Sequence, residues 1–273
     1  MPESKKISLF WWSEPRLLGK KKENYGDLLS KYLVEKISGV SVNWIQPKKQ
    51  KWYSFNKTHI LGAGSIIHHA TKHSVVWGSG IIDENQKIAP ATFKVVRGPE
   101  TRKYLMNYGY NCPEIYGDPA LLLPDYYNPN IKKKYKIGII PHYTDFEVIS
   151  NLYSNIEGVK VIDIMTLDIE GKTDEILECE RIVSSSLHGV IVPHAFGIPA
   201  LWIPFSQKPF GNGIKYYDYL NSVQIKDYTP TEFNANISIE ELLSHFDKYE
   251  ALPKSEVINQ LKQGLILNCP FIS

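Results

Sequence analysis

Short apolar runs, most of them closing on glycine or a polar turn, set the tightest limit on how this chain can fold. In the first half they are Ile7 to Trp12, Ser41 to Ile45, His59 to Leu61, Ser74 to Trp77, Thr92 to Val96 and Glu114 to Tyr116. Periodic or polar stretches separate them, and that rhythm predicts a parallel sheet with crossover helices. Gly26 to Ser38 shows the helical part of the unit. Leu28, Leu29, Tyr32, Leu33 and Ile37 recur at helical spacing, Asn24 is placed to cap, and Gly39 stops the helix. Glycine-rich strand ends are where such sheets bind ligands.

The segment DYYNPNIKKKYK breaks the rhythm with proline, asparagine and lysines, and reads as a linker over about 126–135. A second series follows: Lys136 to Ile140, Val159 to Ile164, Arg181 to Ser184 and Ala200 to Ile203 as strands, with helices at Thr173 to Cys179, Leu187 to Phe196 and in Ser238 to Leu265. The expectation is an α/β chain of two Rossmann-like domains, residues 1–125 and 136–273, facing across a cleft. A chain of 273 residues is long enough for two domains of ordinary size.

With 31 Lys and Arg against 29 Asp and Glu, no nucleic-acid partner is expected. Lysine clusters at Lys5-Lys6, Lys20 to Lys22 and Lys132 to Lys134 are solvated loops, or else attract an anionic membrane surface or substrate. Cys112, Cys179 and Cys269 lie far apart without C-x-x-C spacing, which fits a reducing cytoplasm. The start MPESKKISLFWWSEP meets charge and proline too soon for a signal peptide, and no window approaches the roughly 18 apolar residues of a membrane span. A cytoplasmic protein is expected, with a peripheral position on the inner face of a membrane as its extension; oligomeric state is open.

Ser184, Ser185, Ser186 and His188 interrupt the apolar stretch ERIVSSSLHGVIVPHAFGIPALWIPF. A strand ends at Val183 or Ser184 and His188 falls in the first turn of the next helix. There, backbone N–H groups, the helix dipole and serine hydroxyls favour a phosphate or carboxylate; the other reading is that the serines only cap the helix. LGAGSII and VWGSGII present Gly62, Gly64, Ser65 and Ser79 as oxyanion donors or as plain tight turns. Neither continues into a dinucleotide or P-loop signature. Arg97, after a strand, could grip an anion with two bonds or make an ordinary ion pair. Asp27 suits the dipole of its helix or serves as a base. His142 and Tyr143 end the first strand of the second half, and Lys215 follows a Gly-Asn-Gly turn. His68, His69 and His73 find no acidic partner to complete a metal set.

In order, ENYGDLLSKYL, LGAGSII, WGSGI, VRGPET, GDPALLLP, IIPHY and SSSLHGVIVPHAFGIPAL resemble the polysaccharide pyruvyltransferase family, especially its succinoglycan-type branch. The resemblance implies the two-domain arrangement of GT-B glycosyltransferases, with the first domain on the acceptor side and the second on the donor side. It also implies transfer of pyruvate from phosphoenolpyruvate, as co-substrate and without a cofactor or metal, to two hydroxyls of a sugar. It makes His188 the general acid and Arg97 a ligand of the donor anion. Asn24 and Asp27 match the family's N-x-G-D element, and Lys215 matches a lysine that precedes its D-[YF]-L segment. Many members carry arginine where this chain has Ser186. The chemistry needs an acid, anion clamps and a dry cleft. His188 is assigned as acid, Arg97 and Ser184 to Ser186 as clamps with Lys215 beside them, and Asn24, Asp27, His142 and Tyr143 as acceptor-side residues. The acceptor is a glycan, with a lipid-diphosphate-linked form as one possibility. A nucleotide-sugar glycosyltransferase and a non-catalytic sugar- or phosphate-binding module are the competing readings.

Overall fold

In a computed structural model describing residues 6–53, 56–206, 210–230 and 237–272, the strand–helix rhythm builds two parallel sheets. The first half contains β1 (Ile7–Phe10), α1 (Glu14–Leu18), β2 (Glu23–Asn24), α2 (Tyr25–Ser38), β3 (Val42–Trp44), β4 (His59–Leu61), β5 (Ser74–Trp77), β6 (Thr92–Val95), α3 (Pro99–Asn107) and α4 (Leu123–Tyr126). Its five-stranded sheet has the order β3-β1-β4-β5-β6, with every pair parallel. The second half contains β7 (Ile137–Ile140), α5 (Phe146–Tyr153), β8 (Val159–Val161), β9 (Met165–Thr166), α6 (Ile169–Leu177), β10 (Ile182–Ser184), α7 (His188–Ala195), β11 (Ala200–Trp202), α8 (Ile214–Ser222), α9 (Ile239–Lys248) and α10 (Ser255–Leu267). Its sheet runs β11-β10-β7-β8, again all parallel.

Local chemistry explains the two helices that matter most for the cleft. At the start of α2, Asn24 Oδ1 accepts from the Gly26 N–H at 3.0 Å; at its end, Gly39 turns left-handed at φ 67°. Leu29, Leu33 and Val34 bury its apolar stripe. Helix α7 has no polar face, because His188 through His194 are buried all round, so its first residue is held in the interior rather than at a surface corner.

The expected strand at Glu114 to Tyr116 shrinks to a single bridge, Val96 to Tyr116. The expected terminal helical region is two helices, α9 and α10, separated where Pro253 stands. Lys5 of the first lysine pair lies outside the described residues. Among the described residues no helix is long and apolar enough to cross a membrane.

Contacts cross the expected linker at about 126–135 in both directions. Glu23 and Asn24 of β2 pair antiparallel with Thr166 and Met165 of β9, linking the halves. Helix α10 returns to the first half, where the Trp77 Nε1–H donates to the Leu265 carbonyl at 2.8 Å. Helix α8 docks on the turn between β6 and α3, where a Cβ on Gly98 would stand 1.8 Å from the Asp218 carbonyl oxygen. Leu9, Trp77 and Val95 therefore share one core with Ile139, Val183 and Leu201.

Candidate active site

Both sheets open their carboxyl ends onto one cleft of about 450 Å³. From the first sheet, β1 leads to Trp12 and Glu14, and β4 leads to Gly64, Ser65, Ile66 and His68. From the second, β7 leads to His142, Tyr143 and Thr144, and β10 leads to Ser186, Leu187 and His188. In each sheet these are the neighbouring strands between which the chain order reverses, β1 beside β4 and β7 beside β10. Backbones diverge there, and α/β sheets open a crevice at such points.

His188, the first residue of α7, stands at the cleft floor. Its Nε2 lies 3.4 Å from Asp118 Oδ2. Both atoms are buried, and neither has a hydrogen-bond partner among the described residues. Asp118 is wholly buried, and its other oxygen, Oδ1, accepts from the Ala120 N–H at 2.9 Å, starting the tight 3-10 turn Pro119–Leu122. A carboxylate facing Nε2 holds a proton on that nitrogen and leaves Nδ1 for a ligand. Nδ1 lies over Gly26, where a Cβ would come within 2.0 Å. The bare backbone at Gly26 thus makes room for the ring.

Asp27, Lys215 and His142 share this cleft. Burial pushes the Asp27 carboxyl up to about 7, with the charges of His188 and Lys215 opposing the rise and those of Glu14 and Glu23 adding to it. Burial first, and then the Arg97 charge, bring Lys215 down to about 8, against the pull of Asp27. His142 is lowered to about 4 by burial and by the nearby Lys215 and Lys20, so its ring is neutral near pH 7. The cleft therefore offers a cation, an acid that titrates near neutrality and an imidazole backed by a carboxylate.

Of the residues singled out from sequence, the structure brings Asn24, Asp27, Gly64, Ser65, His142 and Tyr143 together in the cleft wall, along with Ser186, His188 and Lys215. It does not bring Arg97 there. The Arg97 side chain is fully buried; its Nε donates to Asp218 Oδ2 at 2.9 Å, Nη1 to Ser65 Oγ at 2.6 Å and Nη2 to the Ile81 carbonyl at 2.6 Å. Asp218 also accepts from the Thr101 N–H and hydroxyl. Arg97 is thus the ion-pair half of the alternatives its position allowed, latching α8 to the first half and steadying Ser65 from behind.

Four more expected donors are turned inward. Ser184 Oγ donates to the Ile140 carbonyl and accepts from the Ser186 N–H, while Ser185 Oγ accepts from the His142 N–H at 2.8 Å. These two serines stitch the β10 turn to β7, so of the three only Ser186 lines the cleft. Ser79 Oγ donates to the Gly64 carbonyl and accepts from the Ile66 N–H, bracing the loop from behind. Gly62 packs against Ser30, where a Cβ would meet its Oγ at 3.1 Å. Sequence reasoning missed Asp118, whose signal was an aspartate followed by proline and a solid apolar run in GDPALLLP. It also missed Asp218, in the DYL of α8.

A ligand cleft at the switch points of two parallel sheets, with a buried carboxylate–imidazole pair on its floor, defines an α/β enzyme. Residues 24–207 match the polysaccharide pyruvyl transferase family, so the chain belongs to that family and is a transferase. It is 34% identical over 207 residues to an uncharacterized protein of Acanthamoeba polyphaga mimivirus, an alignment covering 72% of this chain and 70% of that protein. It is 25% identical over 187 residues to the succinoglycan biosynthesis protein ExoV of Rhizobium meliloti (strain 1021), covering 63% of this chain and 55% of that protein.

Proposed function

We propose that this protein transfers the three-carbon unit of phosphoenolpyruvate to two hydroxyls of one sugar in a polysaccharide or its lipid-linked precursor, closing a cyclic pyruvate ketal and releasing phosphate. The observation that carries this reading is the His188–Asp118 pair at the first turn of α7, beside Lys215 and Asp27. The two halves act as facing Rossmann-like units in a GT-B-like arrangement, with the donor lying against the second.

Phosphoenolpyruvate is dormant until C3 takes a proton, after which C2 has oxocarbenium character and one sugar hydroxyl adds to it with loss of its proton. The C2–O bond to phosphate then breaks, and the second hydroxyl adds to C2 and loses its proton. The product carbon bears a methyl group, a carboxylate and two sugar oxygens. Protonated His188, with Nε2 held by Asp118, is the acid that presents its Nδ1 proton to C3. The first amides of α7 have no intrahelical acceptor, and with Lys215 they face the donor's phosphate and carboxylate. Asp27 titrates in the range where it can accept a hydroxyl proton at neutral pH.

The test is phosphate release from phosphoenolpyruvate with candidate sugar acceptors, read together with the mass gain of the acceptor. Wild type forms the ketal, and His188→Ala loses turnover while keeping its melting temperature. Ketal formation by His188→Ala at the wild-type rate removes the acid assignment. Thermal protection by a nucleotide sugar but not by phosphoenolpyruvate favours the glycosyltransferase reading instead.

A further inference from the structure

The WW pair in SLFWWSEP splits between core and cleft. Trp11 is buried and meets Trp44 edge-on at 6.5 Å, whereas Trp12, the next residue, turns into the cleft wall. Trp12 is held there on two sides. Its Nε1–H donates to Glu14 Oε1 at 3.2 Å, and its ring lies 5.6 Å from His69 at a 30° interplanar angle. His69 in turn sits edge-on to Phe10 at 5.0 Å, and burial holds its ring neutral by lowering it to about 4. The indole is a fixed, uncharged surface with its backing already in place.

Glu14 continues the wall. Its Oε2 pairs with Lys20 Nζ at 2.7 Å, and Lys20 lies over the Tyr143 ring at 4.1 Å. Trp12, Glu14 and Lys20 from the first half and Tyr143 from the second thus form one connected rim. This part of the cleft differs in chemistry from the floor: it presents two aromatic faces and a carboxylate paired with Lys20, where the floor presents helix amides and an imidazole. A pyranose ring has a C–H face that packs on an aromatic plane and equatorial hydroxyls that donate to carboxylates. Phosphoenolpyruvate has no such ring face.

We infer that Trp12, Glu14 and Tyr143 form a binding subsite for one pyranose ring of the acceptor, with the indole of Trp12 as the platform under its C–H face. This rests on the cleft accepting a glycan, as the proposed function holds, but not on the donor. The test is saturation-transfer difference NMR on the full chain without phosphoenolpyruvate, using methyl β-D-galactopyranoside, methyl β-D-glucopyranoside and methyl β-D-mannopyranoside as probes. The expected result is transfer to ring C–H protons of at least one glycoside with wild type. The signal should fall about tenfold in Trp12→Ala, which removes both the stacking face and the area it buries, about 1.4 kcal/mol together. Trp12→Phe, which keeps a flat face and guards against a folding artefact, should retain at least a third of the signal.

Transfer to Trp12→Ala within twofold of wild type overturns the subsite, and so does a wild type that shows no transfer from any of the three probes. A separate assay of phosphate release distinguishes the two proposals. Glycoside signals that depend on Trp12 in a protein that never consumes phosphoenolpyruvate leave the subsite standing and remove the donor.

Discussion

Asp118→Asn tests the pairing on the cleft floor with little disturbance elsewhere. Asp118 Oδ1 is already committed to the Ala120 N–H at 2.9 Å, so an asparagine keeps that bond and must turn its amide N–H2 toward His188 Nε2. Two donors then meet across 3.4 Å, and the ring escapes only by placing its proton on Nδ1 and accepting at Nε2. The charged imidazolium that the acid step requires has no such escape. At that separation and an effective dielectric of about 20, the lost attraction is about 5 kcal/mol, and relief from desolvating a carboxylate offsets part of it. A net loss of about 3 kcal/mol corresponds to a rate roughly two orders of magnitude lower. The assay is the initial rate of phosphate release from phosphoenolpyruvate between pH 5 and 9, with melting temperature followed in parallel. We expect kcat to fall about 100-fold at pH 7 and the melting temperature to change by only a few degrees. A variant with kcat within threefold of wild type would refute the pairing as a catalytic device.

Three further outcomes follow from the same geometry. Burial holds Asp27 near 7, above its unfolded value, so the native state keeps a proton that the unfolded chain releases, and stability drains away as pH rises from about 4 through 7. Asp27→Asn should therefore stabilise the protein by up to about 4 kcal/mol at pH 8 and hardly at all at pH 4, while lowering turnover; equal melting shifts at both pH values contradict the burial argument. Gly26→Ala places a methyl group where His188 Nδ1 now lies, so kcat should drop by at least about 100-fold with the circular dichroism spectrum retained. Arg97→Lys and Asp218→Asn each break a wholly buried pair and should cost about 3–5 kcal/mol in urea unfolding without raising KM for phosphoenolpyruvate in the folded fraction. An Arg97→Lys protein of normal stability with a raised KM for phosphoenolpyruvate returns Arg97 to the donor site.

Much of the fold was legible because each strand is a short apolar run closed by a turn residue, and α2 carries its own cap, stripe and stop in Asn24, Leu29, Leu33 and Gly39. The β2–β9 pairing was not legible. Two residues on each side carry no periodicity, and their partners are set by how the halves meet. The crossing of α8 and α10 into the first half was hidden for a related reason: an amphipathic pattern shows that a helix buries a face, not which half receives it. In the cleft, position was legible and role was not. His142, Ser186 and His188 stand at strand ends, as the parallel topology requires. Whether a polar side chain there points at a ligand or at its own backbone depends on partners far along the chain. Arg97 is held by Asp218, and Ser185 by the His142 amide.

Three glycines give a more specific account of why the cleft has its shape. Gly26, Gly80 and Gly98 all lack positive φ, so backbone conformation does not demand glycine at any of them. Space does, because a Cβ would stand 2.0 Å from His188 Nδ1 at Gly26, 2.4 Å from Arg97 Cζ at Gly80 and 1.8 Å from the Asp218 carbonyl at Gly98. In the first and third cases a first-half glycine meets a second-half residue, so the halves approach as closely as bare backbone permits. His188 is thus located by α7 in one half and by Gly26 and Asp118 in the other. Because the ring and its carboxylate come from opposite halves, the pair exists only when those halves are docked, and the buried Arg97–Asp218 pair is a second contact that holds them together.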